Sequence, residues 1–172
     1  MTAWNGQKMK ANAIVYTSNT GLTERYAKML AEKTGLAVYR IEEATGKLAK
    51  GERVIYLGWL MAGMIVSYKK ARKLYNIAAV CGVGLGDTGA QDENARKTNK
   101  IPSDIPVFTL QGGMDHAKLT GVYRSMIDVL TKVMTKKKNK TEDEEKMTRL
   151  LISGGDFVSE ENLGAVLSWL DS

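Results

Sequence analysis

Short, almost wholly apolar runs alternate with helical patterns along this chain, and no other feature restricts its fold so strongly. "NAIVYT" (12–17) is a near-continuous apolar run, as expected for a strand buried on both faces. A loop of hydroxyls follows, then Thr23, Ala27, Leu30, Ala31 and Thr34 fall at helical spacing, with Gly35 as the stop. "LAVYRI" (36–41), "RVIYLG" (53–58), "IAAVCGVG" (77–84) and "IPVFTLQ" (105–111) are expected as further strands, and "SYKKARKLY" (67–75) as a helix. From Lys118 onward, Leu119, Val122, Tyr123, Met126, Ile127, Leu130, Val133 and Met134 form one helical stripe. Thr141 and Glu144 make a capping box for a helix through Leu151, and Ser159 opens a last helix carrying Leu163, Val166, Leu167 and Leu170. This order argues for an α/β fold, a parallel sheet with helices on both faces. In such sheets ligands sit outside the carboxyl ends of the strands, where strand order reverses. The loops after strands one, three and four are therefore where chemistry is expected.

The chain has 172 residues, enough for one domain with a real core. Residues 1–11 read as a short irregular leader, in which Met9 could be an alternative start, and 12–172 as a single domain with extra C-terminal helices over about 141–170. The leader lacks the apolar centre of a signal peptide, and the uncharged stretch Val54–Val66 falls short of the roughly 18 to 20 residues that span a bilayer. The lone Cys81 excludes an internal disulfide framework and fits a reducing cytoplasm, so the chain is expected to be cytoplasmic. A formal charge of +6 permits acidic partners. Much of it lies in "KVMTKKKNK" (132–140), beside "TEDEEK", the pattern of a solvated helix–loop junction. No aromatic residue interleaves with these lysines to stack bases, which disfavours nucleic-acid binding.

The first loop, Ser18-Asn19-Thr20-Gly21-Leu22-Thr23, carries the sharpest signal. A helix start offers unpaired N–H groups and a partial positive charge, a ready anion site. Ser18, Thr20 and Thr23 add hydroxyl donors, and Gly21 allows close backbone approach. The lysine and the spacing of a nucleoside-triphosphate loop are both missing, which favours one terminal phosphate held by neutral donors. The plainer alternative is a capped strand–helix turn rich in Ser and Thr.

S-N-T-G-L-T, placed after the first strand, matches the flavodoxin phosphate-loop pattern [ST]-x-T-G-x-T, and the chain resembles the flavodoxin-like FMN-binding family. It looks closest to the branch containing the flavodoxin-type, menaquinone-dependent protoporphyrinogen oxidases, through "GWLMAG" (58–63), "PVFTLQGGMDHAKL" (106–119) and "DFVSEENLGAVLSWL" (156–170) in the same order. The resemblance implies a three-layer sandwich whose five-stranded parallel sheet has the order 2-1-3-4-5, with FMN as cofactor. It also implies an electron-transfer protein or an FMN-dependent oxidoreductase, acting with a redox partner protein or a small-molecule or quinone acceptor. A flavodoxin-fold module without redox function, binding a phosphate or a protein, is the alternative from another class.

On this resemblance Trp59, Leu60, Met61, Ala62 and Gly63 of the second loop contact the flavin ring, as does Gly58 before them. Either Trp59 or Met61 could stack on it; Trp59 could equally be core. "GLGDTG" (84–89) satisfies a dinucleotide fingerprint only formally, because it follows the fourth strand. The stretch from Asp87 to Asp104 reads as too long and too hydrophilic for core, and "AQDENARKTNK" (90–100) within it as too polar for a packed crossover helix, so Gly84, Leu85, Gly86 and Asp87 are expected in a flexible loop at the ring's pyrimidine edge. That loop brings no second stacking aromatic, which would leave one flavin face open. Gly113, in Gly112-Gly113-Met114, either approaches the ring or makes a tight turn. Asp115 and the single histidine, His116, read as surface residues, and one cysteine with one histidine makes a protein-built zinc site implausible. The apolar "WLMAGMIV" could suit a quinone or a peripheral membrane contact, or simply be buried.

Overall fold

The computed structural model describes residues 10–172; the first nine positions of the expected leader, Met9 among them, lie outside the described residues. In chain order the elements are β1 (Ala13–Tyr16), α1 (Leu22–Thr34), β2 (Ala37–Arg40), α2 (Ile41–Ala44), β3 (Arg53–Met61), β4 (Met64–Ile65), α3 (Tyr68–Leu74) and β5 (Asn76–Gly84). Then come α4 (Asp92–Asn99), β6 (Val107–Gln111), β7 (Gly113–Met114), α5 (Gly121–Lys136), α6 (Glu142–Ser153), β8 (Gly155–Asp156), a 3-10 turn (Glu160–Leu163) and α7 (Gly164–Asp171). The long strands pair in parallel in the order β2-β1-β3-β5-β6. This is the expected order once the two-residue β4, which folds back antiparallel on β3, is set aside.

The period-2 alternation of the strands sends their side chains to two separate cores. Ile14, Tyr16, Ile55, Leu57 and Cys81 face α1, the 3-10 turn and α7, which contribute Tyr26 and Leu30, Leu163, and Val166 respectively. Ala13, Val15, Val54, Tyr56 and Val80 face α2, α3 and α4 through Ile41, Tyr68, Ala71 and Ala95. The result is a three-layer α/β sandwich. Ala11, expected in the leader, is buried in the first of these cores, and the Arg53 guanidinium donates to the Lys10 carbonyl at 2.7 Å. Tyr26 fastens the first layer: its hydroxyl donates to the Gln111 carbonyl and accepts from the Asn162 amide at 2.7 Å.

Three elements depart from the sequence expectation. β3 runs on to Met61 instead of ending at Gly58. The polar stretch after β5 contains the helix α4, which buries only Ala95 and so leaves almost no apolar periodicity to read. The final helix α7 is no appendage; its Val166 and Leu170 belong to the core against α1. The added structure is instead the hairpin α5–α6, which leaves the sheet after β7 and returns at β8, where Gly113 faces Asp156 and Met114 faces Gly155.

Candidate functional site

β1 delivers the chain into Ser18-Asn19-Thr20-Gly21 at the carboxyl edge of the sheet. Gly21, at the N-cap of α1, takes a left-handed φ of 96° and ψ of −6°, and its N–H donates to Ser18 Oγ at 3.1 Å. An added Cβ would meet nothing there, so glycine is required by the torsion and not by space. No side chain caps α1. Its first N–H groups therefore keep their donors and the partial positive charge of the helix end. Asn19 Oδ1 is buried without a hydrogen-bond partner, an acceptor that wants a hydroxyl or N–H donor from outside the chain. Thr23 is buried on the first turn of the helix.

The second loop is a β-hairpin. Met61 pairs with Met64, and the two residues between them, Ala62 and Gly63, have φ of 48° and 81°. Positive φ at both positions is the type I′ geometry that suits two-residue hairpins. Asn99, at the end of α4, holds the hairpin from outside: its amide donates to the Gly63 carbonyl at 2.8 Å and its Oδ1 accepts from the Ile65 N–H at 2.9 Å. A Cβ at Gly58 would fall 2.7 Å from Ile65 and from the Val66 carbonyl, so this glycine is what lets β4 fold back so closely. Leu60 lies over Gly82 and Gly84 of β5, whose added Cβ atoms would stand 3.1 Å from it. Trp59 meets Tyr123 of α5 edge-on, with centroids 4.8 Å apart and planes at 80°.

The third loop is pinned to the sheet edge, contrary to the expected flexible loop. The Gly89 N–H donates to the Thr109 carbonyl at 2.8 Å, the Gln111 N–H to Thr88 Oγ1 at 3.0 Å, and the Thr109 N–H and hydroxyl both donate to Asp92 at 2.7 Å. β6 is an edge strand, and these polar side chains satisfy backbone groups that would otherwise be unpaired. The polarity that spoke against a helix here is what seals the edge.

These loops open on one cavity of about 300 Å³, at the small end of the usual ligand-pocket range of roughly 300–1,000 Å³. Ser18, Asn19, Thr20, Leu22 and Thr23 line one end; Trp59, Leu60, Met61, Ala62 and Gly63 line a wall, with Gly84, Leu85 and Gly113 nearby. Gly21, Gly86 and Asp87, all expected at the cofactor, stand outside it. Gly21 borders a polar cleft shared with Arg25, Asp115 and His116, and Gly86 and Asp87 border a depression beside α6. Asp87 reaches Lys146 of α6 at 2.9 Å, a contact that ties the hairpin to the sheet. Sequence reasoning missed the roof: Ile127, Leu130 and Met134 of α5 with Met147 and Leu151 of α6. It also missed Gln91 and Asn94, the polar residues opposite. All five roof residues belong to helices that were visible in the sequence, but periodicity does not say what a helix covers.

No charged side chain lines the cavity among the described residues. An anion there would be held by neutral donors and the end of α1. Beneath the floor, burial pushes the Cys81 thiol up to about 12, so it stays protonated and inert. Burial likewise raises the Tyr56 hydroxyl, which donates to the Val66 carbonyl at 2.5 Å and accepts from Thr17 Oγ1 at 2.9 Å. No group of three or more His, Cys, Asp or Glu that could hold a metal occurs among the described residues. No family model matches the chain, and neither does any curated protein or solved structure.

Proposed function

We propose that the protein is a flavodoxin-like, FMN-binding electron-transfer protein. The observation that carries this reading is the uncapped start of α1 beside the partnerless Asn19 Oδ1, both at the end of a largely apolar cavity. A ligand with one terminal phosphate, a hydroxylated linker and a flat apolar ring answers each of these features. Ser18, Thr20 and Thr23, with the first N–H groups of α1, would hold the phosphate. A ribityl hydroxyl would satisfy Asn19, and Trp59, Leu60 and Met61 would wall the ring. Bound FMN would supply one- and two-electron redox chemistry. The chain's own share is to bind it, exclude water with apolar walls, and keep charged side chains away from the ring.

The roof favours a second reading, an FMN-dependent oxidoreductase of the protoporphyrinogen oxidase or quinone type. A carrier that docks onto partner proteins gains nothing from an apolar lid over its redox site, whereas an enzyme acting on a small apolar molecule does.

Purified protein that is yellow and releases FMN on denaturation supports the class; a colourless protein that takes up no added FMN sinks it. Thr20→Val combined with Thr23→Val should weaken FMN binding at least about tenfold, since hydrogen bonds to a charged group contribute roughly 1.5 to 3 kcal/mol each. Titration by flavin-fluorescence quenching reads this directly, and unchanged affinity would refute the assigned loop. Anaerobic turnover of protoporphyrinogen with a quinone acceptor, set beside reduction by a ferredoxin or a reductase, separates enzyme from carrier.

A further inference from the structure

α5 carries apolar residues around half its circumference, and the hairpin uses only part of them. Ile127, Leu130 and Met134 roof the cavity. The next row on the same helix, Val122, Met126, Val129 and Val133, is 65%, 46%, 61% and 59% exposed. At about 100° per residue these four fall within a narrow strip along the helix. Lys132 and Lys136 follow on the side of the strip away from the cavity, while Arg124 and Asp128 lie on the opposite face. Past the helix end come Lys137, Lys138 and Lys140, so five lysines and no acidic residue lie between 132 and 140. The exposed strip continues onto the β3–β4 hairpin: Met61 and Ala62 share a shallow apolar groove with Met126, Val129 and Val133, and Met64 beside them is 54% exposed.

We propose that this face of α5, with the tip of the β3–β4 hairpin, docks onto the surface of an anionic phospholipid bilayer. The chemistry favours lipid over a protein partner. Protein interfaces are enriched in aromatic residues, Met and Arg and depleted in lysine, whereas this strip is three valines and one methionine with no aromatic or arginine anchor, and it is rimmed by lysine. An apolar strip bordered by lysines is the pattern of a helix lying in the headgroup region, its aliphatic side chains at the acyl boundary and its ammonium groups among the phosphates. The contact is peripheral, since no described helix is long and apolar enough to cross a membrane. Met61, Ala62 and Leu130 border both the groove and the cavity, so docking turns one side of the cavity toward the lipid. The inference holds whichever ligand the cavity takes.

The test is flotation of the purified full-length chain with phosphatidylcholine vesicles, with and without phosphatidylglycerol. Binding is expected only to the anionic vesicles, weakening as salt rises. Val129→Asp with Val133→Asp alters exposed positions and leaves the cavity side of α5 intact; it should weaken binding at least about tenfold. Lys132→Gln with Lys136→Gln should do the same in part and flatten the salt dependence. Circular dichroism of each variant guards against misfolding. Failure of the native chain to float with anionic vesicles overturns the proposal, as does equal binding by the valine variant. So does a native dimer in sedimentation that the valine variant dissociates, which would make the strip a contact between copies of this chain.

Discussion

Ala62 holds a φ of 48° at the tip of the β3–β4 hairpin, a left-handed torsion that costs an L-residue with a Cβ roughly 1 to 2 kcal/mol. Its side chain is exposed, so no packing compensates the strain locally. The turn is held by Gly63 behind it and by Asn99, which bonds the Gly63 carbonyl in the turn and the Ile65 N–H of β4. Asparagine is the residue type that best tolerates the first position of a type I′ turn. Ala62→Asn should therefore raise stability by about 1 kcal/mol, a rise in melting temperature of roughly 2–4 °C for a chain of this size. Differential scanning calorimetry reads it, and a lower melting temperature would mean that the alanine is held by contacts the torsion does not reveal. Strain retained at the edge of a cavity fits a site whose wall must present Trp59 and Met61 at a set angle. Sequence reasoning found these residues through the loop pattern, yet it ended the strand three residues early. Glycine at 58 looked like a stop, when its function is to let β4 fold back against β3.

Among the elements, the two-stranded clasp β7–β8 does most to define the site, because both arms of the α5–α6 hairpin issue from it. An added Cβ at Gly113 would fall 2.0 Å from the Gly155 carbonyl, and Gly113 already has a φ of 118°. Backbone cannot retreat as a side chain can, so Gly113→Ala must part the clasp. We expect a loss of about 1–3 kcal/mol and cleavage between 115 and 154 in limited proteolysis that spares the native chain. Gly164→Ala is the contrasting change. Its Cβ would meet nothing, its torsions are helical, and alanine there should stabilise α7 by up to about 1 kcal/mol. Equal responses at the two glycines would contradict the geometry. These elements also mark how far a pattern can be read. The stripe of α5 was legible as a stripe, but its split into a roof and an exposed strip depends on where the hairpin lies, which no local spacing encodes. α4 was illegible for the opposite reason: with one buried alanine among polar and charged residues, several of which seal the sheet edge, it has no apolar stripe to read.

At the scale of the molecule, the sandwich and the hairpin separate cleanly. Neither core includes any residue between 115 and 154, so both faces of the sheet are covered without the hairpin. Besides the apolar underside that buries Leu119, Ile127 and Leu151, the hairpin is tied to the rest of the fold by the clasp, the Asp87–Lys146 pair and the edge of Trp59 on Tyr123. An exposed ion pair contributes little, about 0–1 kcal/mol, which leaves the roof held mainly by the clasp and by apolar contact across the cavity. Met114 and Gly155 stand opposite each other as an antiparallel pair, and a two-residue Asn-Gly turn can join such a pair. A chain with 115–154 replaced by Asn-Gly should fold to the same sandwich, with less helix in circular dichroism and a single cooperative melting transition. Removing the roof exposes Trp59 and Leu60 to water, so its indole fluorescence should shift to longer wavelength and any cavity ligand should leave faster. The alternation of strands and helices made this sandwich readable from the sequence, because each core is built from local patterns that repeat along the chain. The roof was not readable, since its inner face is chosen by a clasp of two glycine-containing strands too short to carry a pattern. Loss of the cooperative transition in the shortened chain would show that the roof belongs to the fold's stability and not only to its site.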